Sequence, residues 1–124
     1  MADHLVCWVD IPVVDLKRAV AFYAAILGQP VKIETAGPGQ EFGLLPHAGD
    51  SVSGCLAVMR GRTPSQDGPL VYLSVNGRLD AALDAARAGG GRIIQEKHPI
   101  GPYGFRALIA DTEGNAIALH SQKA

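Results

Sequence analysis

Five side chains carry most of the chemistry this sequence offers: Trp8, Asp10, Tyr72, Arg106 and His120. The imidazole of His120 suits a hydrogen bond to a ligand carbonyl or general-base work. Arg106 supplies a planar fork that either clamps a carboxylate or phosphate or ion-pairs with Asp10 or Glu41. Trp8 and Tyr72 offer flat apolar walls for stacking a planar ligand, and the same rings also serve as plain filling. Asp10 and His120, joined by His4 or Glu41, would make a metal site, but no ligand spacing supports one. Cys7 and Cys55 have no accompanying base motif and read as small apolar residues rather than nucleophiles. There is no G-x-S-x-G, no P-loop and no zinc-finger cysteine pattern. The Gly89–Gly91 run follows a helical segment, so it ends a helix instead of cradling a phosphate.

Strand parity decides whether the five can meet. Thr112, Glu113 and Gly114 read as a three-residue hairpin loop with glycine at its left-handed position. That pairs Asp111 with Asn115, and hence Leu108 with Ala118 and Arg106 with His120. Ile117 and Leu119 then point to the opposite face, toward a helix-packed core. The same alternation puts Val9, Ile11, Val71, Leu73 and Val75 in the core and Trp8, Asp10 and Tyr72 on the other side. The five residues are therefore predicted to line one concave cavity.

The elements that position them come in two copies. Leu16, Ala19, Val20 and Gly28 recur 63 positions later as Leu79, Ala82, Leu83 and Gly91, and Ile11 and Val13 recur 62 positions later as Leu73 and Val75. Each half reads strand, helix, then three short strands. In the first half these are strands at 7–13, 31–35, 41–45 and 54–59, with a helix that opens at Asp15 and closes at Gly28. Its apolar stripe is Leu16, Ala19, Val20, Tyr23, Ile26 and Leu27. In the second half strands are expected at 70–75, 92–96, 105–110 and 116–120. The chain is expected to form a single domain over residues 1–124, with modules at about 5–60 and 70–122 joined by a turn-rich linker at 61–69.

Composition bounds what such a domain does. With 124 residues, 48% hydrophobic and 19% charged, the chain is too apolar for intrinsic disorder and long enough for one core. A formal net charge of −1 gives no general attraction to nucleic acid or anionic membrane, and neither is expected as a partner. The N-terminus lacks the pattern of a secretion signal, and two cysteines suit a reduced setting, so a cytoplasmic location is expected.

The duplicated strand-helix-three-strand unit resembles the glyoxalase/bleomycin-resistance/extradiol dioxygenase (vicinal oxygen chelate) superfamily, especially its bacterial lactoylglutathione-lyase-related type. The resemblance is carried by WVDIPVVDLKRAVAFYAAILG (Trp8–Gly28), VYLSVNGRLDAALDAARAGGGRII (Val71–Ile94) and YGFRALIADTEGNAIALHS (Tyr103–Ser121), whose D-x-E-G-N turn is its most specific element. It implies an α+β fold of two βαβββ modules, a cupped mixed sheet with helices on the convex side, and a homodimer. Enzymes of this type hold a divalent metal with His or Glu on the first and last strands of each unit. The matching positions here are Trp8, Leu70 and Ala118, and the stretch 51–59 has no His or Glu for the fourth. No metal and no other cofactor is therefore expected. The resemblance implies a protein that binds, and in an enzymatic version converts, a small organic ligand. A lyase or isomerase with displaced metal ligands and a sequestering resistance protein are the alternatives.

Overall fold

The computed structural model describes residues 4–124. The first half contains β1 (Trp8–Pro12), α1 (Leu16–Leu27), β2 (Lys32–Gly37), β3 (Gln40–Leu44) and β4 (Ser53–Ala57). The second contains β5 (Val71–Ser74), α2 (Leu79–Ala88), β6 (Arg92–Pro99), a single 3-10 turn at Gly101–Tyr103, β7 (Phe105–Ala110) and β8 (Ala116–Ser121). They form two four-stranded sheets with the same order, β1-β4-β3-β2 and β5-β8-β7-β6. In each, the first and last strands pair in parallel and the remaining pairs are antiparallel. The repeat seen in the sequence is thus a repeat of topology, in an α+β fold of two modules.

Local chemistry sets the ends of α1. Asp15 is extended and its carboxylate accepts the Arg18 N–H at 3.1 Å, while Gly28 closes the helix with φ of 68°. Ala19, Tyr23, Ile26 and Leu27 of the expected stripe are buried, and so is Phe22, which the stripe omitted. The reason is that α1 packs against α2 as well as against its own sheet, so its apolar face is wider than one sheet requires. Phe22 reaches under the glycine run: a Cβ at Gly91 would lie 2.7 Å from its ring and 2.8 Å from the Ala110 carbonyl. Gly90, at φ +96°, turns the chain, and Gly91 admits the ring. A single core of residues from both modules results, with Ile11, Tyr23, Ile26 and Leu56 meeting Leu79, Leu83, Ile109, Ile117 and Leu119.

A polar clasp joins the modules beside this core. Asp111 accepts the backbone N–H groups of Glu113, Gly114 and Asn115, each at 2.8 Å, and the Tyr23 hydroxyl of α1 at 2.6 Å. Asn115 donates to the Pro12 carbonyl at 2.8 Å. Glu113 leaves its own turn and accepts the Val14 and Asp15 N–H groups and the Arg18 guanidinium, at 2.8, 2.8 and 2.7 Å. Its side chain is wholly shielded from solvent. Burial alone pushes the carboxyl pKa up, but the bonds from Arg18, Asp15, Thr112 and Val14 outweigh it and bring the group down to about 2. The D-x-E-G-N run is therefore a structural device, tying the last hairpin to the first strand-helix turn.

Candidate functional site

On the second sheet the pairing places Ser74 beside His120, His120 beside Arg106 and Arg106 beside His98. One polar rung thus crosses all four strands on the face away from the core. The adjoining rung is Tyr72, Ala118, Leu108 and Gln95. The predicted pairing of Arg106 with His120 and Leu108 with Ala118 is the one observed, and Asp111 N–H bonds the Asn115 carbonyl at 2.9 Å as that register requires.

Arg106 is the centre of the rung. Its Nε and Nη2 direct N–H groups at His98 Nε2, at 3.2 and 3.1 Å, and its Nη1 donates to the Tyr72 hydroxyl at 2.7 Å. The expected alternative, an ion pair with Asp10 or Glu41, is not formed: Asp10 lies on the other sheet, bonded to Trp8 and Cys55. His98 Nδ1 faces the Glu96 carbonyl at 2.8 Å. A carbonyl only accepts, so Nδ1 carries the proton and Nε2 keeps a lone pair for Arg106. By the same reasoning His120 Nε2, 2.6 Å from the Tyr103 carbonyl, carries its proton. His120 therefore ties down the 100–104 loop, and Nδ1 is the ring nitrogen left to accept a bond in the neutral imidazole. Tyr72, Ser74, Ile100, Tyr103, Arg106 and His120 line an open depression of about 520 Å³.

The first sheet carries a different group on its corresponding face. Trp8 Nε1 and the Cys55 thiol both donate to Asp10 Oδ1, at 3.0 and 3.2 Å. Burial, and then the hydrogen bond and charge of Asp10, push the Cys55 thiol up to about 11, so it stays protonated and is no nucleophile. The five sequence-predicted residues are thus divided: Tyr72, Arg106 and His120 share one depression, while Trp8 and Asp10 sit together on the other sheet. Two further hollows, of about 450 and 460 Å³, lie where β1 and β5 come together. Val9, Ile11 and Val71 line both, and the Asn115 side chain at one of them is already engaged by Pro12, Asp111 and Ser65.

His98 was missed because β6 carries two register shifts, between Ile93 and Gln95 and between Gln95 and His98, which break the parity count. A usable signal existed on its other side. The loop between His98 and Arg106 is centred on Pro102 and closed by Ile100 N–H to the Gly104 carbonyl at 2.9 Å, so counting outward pairs 98 with 106.

The chain matches the model of the "Glyoxalase/Bleomycin resistance protein/Dioxygenase superfamily" over residues 2–119. It belongs to that superfamily. Among solved structures, a glyoxalase/bleomycin resistance protein from Albidiferax ferrireducens T118 superposes with a TM-score of 0.73 at 20% identity, covering 95% of this chain and 98% of that one. Glyoxalase I from Zea mays gives 0.69 at 23% identity, over 94% of this chain and 45% of the maize chain. "Putative glyoxylase CFP32" of Mycobacterium tuberculosis is 29% identical over 119 residues, 90% of this chain. The chain spans 43% of the length of that curated relative.

Membership raises the question of the superfamily's divalent metal, and the residues present do not fit it. At Trp8 the one polar atom is an indole N–H already given to Asp10, Leu70 offers no donor, and Ala118 is a fully buried methyl. Among the described residues no three His, Cys, Asp or Glu side chains gather as a metal site needs.

Proposed function

We propose that this superfamily member binds a small organic molecule on the outer face of its second sheet, and that it does so without the divalent metal of the related enzymes. The observation that supports this best is the depression itself. Aromatic and aliphatic walls from Tyr72, Tyr103 and Ile100 surround a few polar groups, Ser74, Arg106 and His120, held by a rigid four-strand rung. A largely apolar hollow with a few placed polar groups is the usual form of a small-molecule site. Any conversion of the ligand falls to His120 as the base, through Nδ1.

Within one chain the depression is open, with Tyr72 46% and Tyr103 69% exposed, and Trp8 is 46% exposed on the other sheet. A homodimer that lays the Trp8–Asp10 face of one protomer over the Tyr72–Arg106 face of its partner gathers all five residues into one closed cavity. Exposed aromatic surface of this kind favours such pairing. No helix among the described residues is long and apolar enough to cross a membrane, and an exposed free Cys7 suits a reducing cytoplasm.

The test is native mass spectrometry of the purified protein with elemental analysis of the same sample. A dimer mass, a co-purified organic molecule lost on Arg106→Ala or His120→Ala, and no stoichiometric metal are expected. About one tightly held metal ion per chain, whose removal releases the co-purified molecule, would overturn the reading.

A further inference from the structure

Arg106 is a full cation, and within one chain the two rungs of its sheet face carry no acidic side chain. The eight residues of the two rungs, Ser74, His120, Arg106 and His98 with Tyr72, Ala118, Leu108 and Gln95, include none. The ion pairs among the described residues are Arg18–Glu113, Arg87 with Asp84 and Glu96, and Lys97–Asp80, so Arg106 is in none of them. Its contacts in the fold are to neutral acceptors, the Nε2 lone pair of His98 and the Tyr72 hydroxyl. These contacts fix the guanidinium plane without neutralising it. A guanidinium has five N–H groups. Nε and Nη2 each direct one at His98 and Nη1 directs one at Tyr72, which leaves one N–H on each terminal nitrogen.

We propose that these two N–H groups receive the carboxylate of a monoanionic ligand whose flat, apolar body rests against Tyr72 and Tyr103. The inference rests on the reading of this face as the ligand site and adds the chemical class. Two donors and one positive charge match the two oxygens and single charge of a carboxylate. A phosphate dianion would bring a third oxygen and a second charge, and neither rung has a second cation to meet them. The ring walls suit a planar body at van der Waals distance. Ser74 and His120 stand on the same rung to read a further polar substituent.

Benzoate is the probe, with benzamide as its uncharged twin and phenyl phosphate as the dianion, each titrated by calorimetry and by backbone amide shifts. Benzoate is expected to bind with shifts centred on Tyr72, Tyr103 and Arg106, and benzamide about tenfold or more weaker. Arg106→Gln is expected to bring benzoate down to the benzamide level, with an otherwise unchanged amide spectrum. Arg106→Lys keeps the charge but loses the fork, and is expected to fall between. Equal binding of benzoate and benzamide at this face would overturn the carboxylate assignment and leave the ligand-site reading standing. Tighter binding of phenyl phosphate than benzoate would overturn it in favour of a phosphate. Absence of shifts on this face with every probe would overturn both. If Arg106→Gln does not fold, the benzoate–benzamide comparison on the unaltered protein still decides.

Discussion

The two modules share an order of strands and carry charges of opposite sign on their matching faces. On the first sheet the carboxylate of Asp10 takes both the Trp8 N–H and the Cys55 thiol, two neutral donors, and forms no ion pair among the described residues. On the second, Arg106 is oriented by His98 and Tyr72 but meets no anion. The closing turns differ too. The turn at 111–115 sends Glu113 into the other module, while the equivalent segment of the first module, around Gly49 and Asp50, stays exposed. One scaffold thus occurs twice, and the second copy carries the turn of the inter-module clasp and the unneutralised cation.

The clasp gives the largest expected effect. Glu113→Ala removes the acceptor of two backbone N–H groups and a guanidinium, and is expected to cost about 3 kcal/mol in urea denaturation. Asp50→Ala, in the matching turn of the first module, is expected to change stability by less than about 0.5 kcal/mol. Acid sharpens the contrast. The Glu113 carboxyl falls from a usual 4.5 to about 2 on folding. A lowered pKa stabilises the fold above pH 4.5, and the contribution is lost as pH drops through 4.5 toward 2. That contribution is about 3 kcal/mol and should vanish from the pH profile of Glu113→Gln. Equal sensitivity at Asp50 and Glu113 would break the comparison.

Tyr23→Phe probes the same clasp from α1. It removes the hydroxyl bonded to Asp111 at 2.6 Å in a fully buried site. Asn115 still donates to that carboxylate oxygen, so the expected loss is smaller, about 1–2 kcal/mol. Because Tyr23, Asp111 and Glu113 share one network, the double variant Tyr23→Phe with Glu113→Ala should cost measurably less or more than the sum. Strict additivity would show that the clasp is two separate contacts.

Much of this was readable from residue order. The repeat, the Asp15 cap, the Gly28 stop and the register of the last hairpin all rest on local rules, and each is as expected. The burial of Phe22 was not readable, because it depends on α2 lying beside α1, a contact between distant segments. His98 was hidden by the bulges of β6, since parity counting assumes an unbroken strand. The role of Glu113 was hidden for another reason: sequence marks it as a turn residue, and only the packing of the two modules shows it reaching Val14 and Arg18. Trp8 and Asp10 share a face orientation with Tyr72 and Arg106, as parity requires, but parity says nothing about which sheet a strand joins.

Arg106→Gln sharpens the comparison of the faces through stability instead of binding. Arg106 is half-buried and paired only with neutral groups, so its removal is expected to shift unfolding by no more than about 0.5 kcal/mol. A loss of several kcal/mol would mean the cation is a structural brace, as Arg18 is in the clasp.

The smallest effect is expected at Cys55, where it reads as a rate. In a Cys7→Ser background the remaining thiol should resist alkylation by iodoacetamide at pH 8, because its pKa of about 11 leaves almost no thiolate. Burial is the largest cause of that elevation and the Asp10 carboxylate the next. Asp10→Asn removes the charge while keeping the shape, so the thiol pKa should fall and alkylation should quicken by a few-fold, with burial still limiting access. Trp8→Phe, which removes the indole N–H whose hydrogen bond to Cys55 lowers the thiol pKa, should leave the rate the same or slower. If Asp10→Asn leaves alkylation unchanged, the carboxylate is not what holds the thiol. Burial alone would then account for the resistance of the thiol, and the Trp8–Asp10–Cys55 group would not act as a unit.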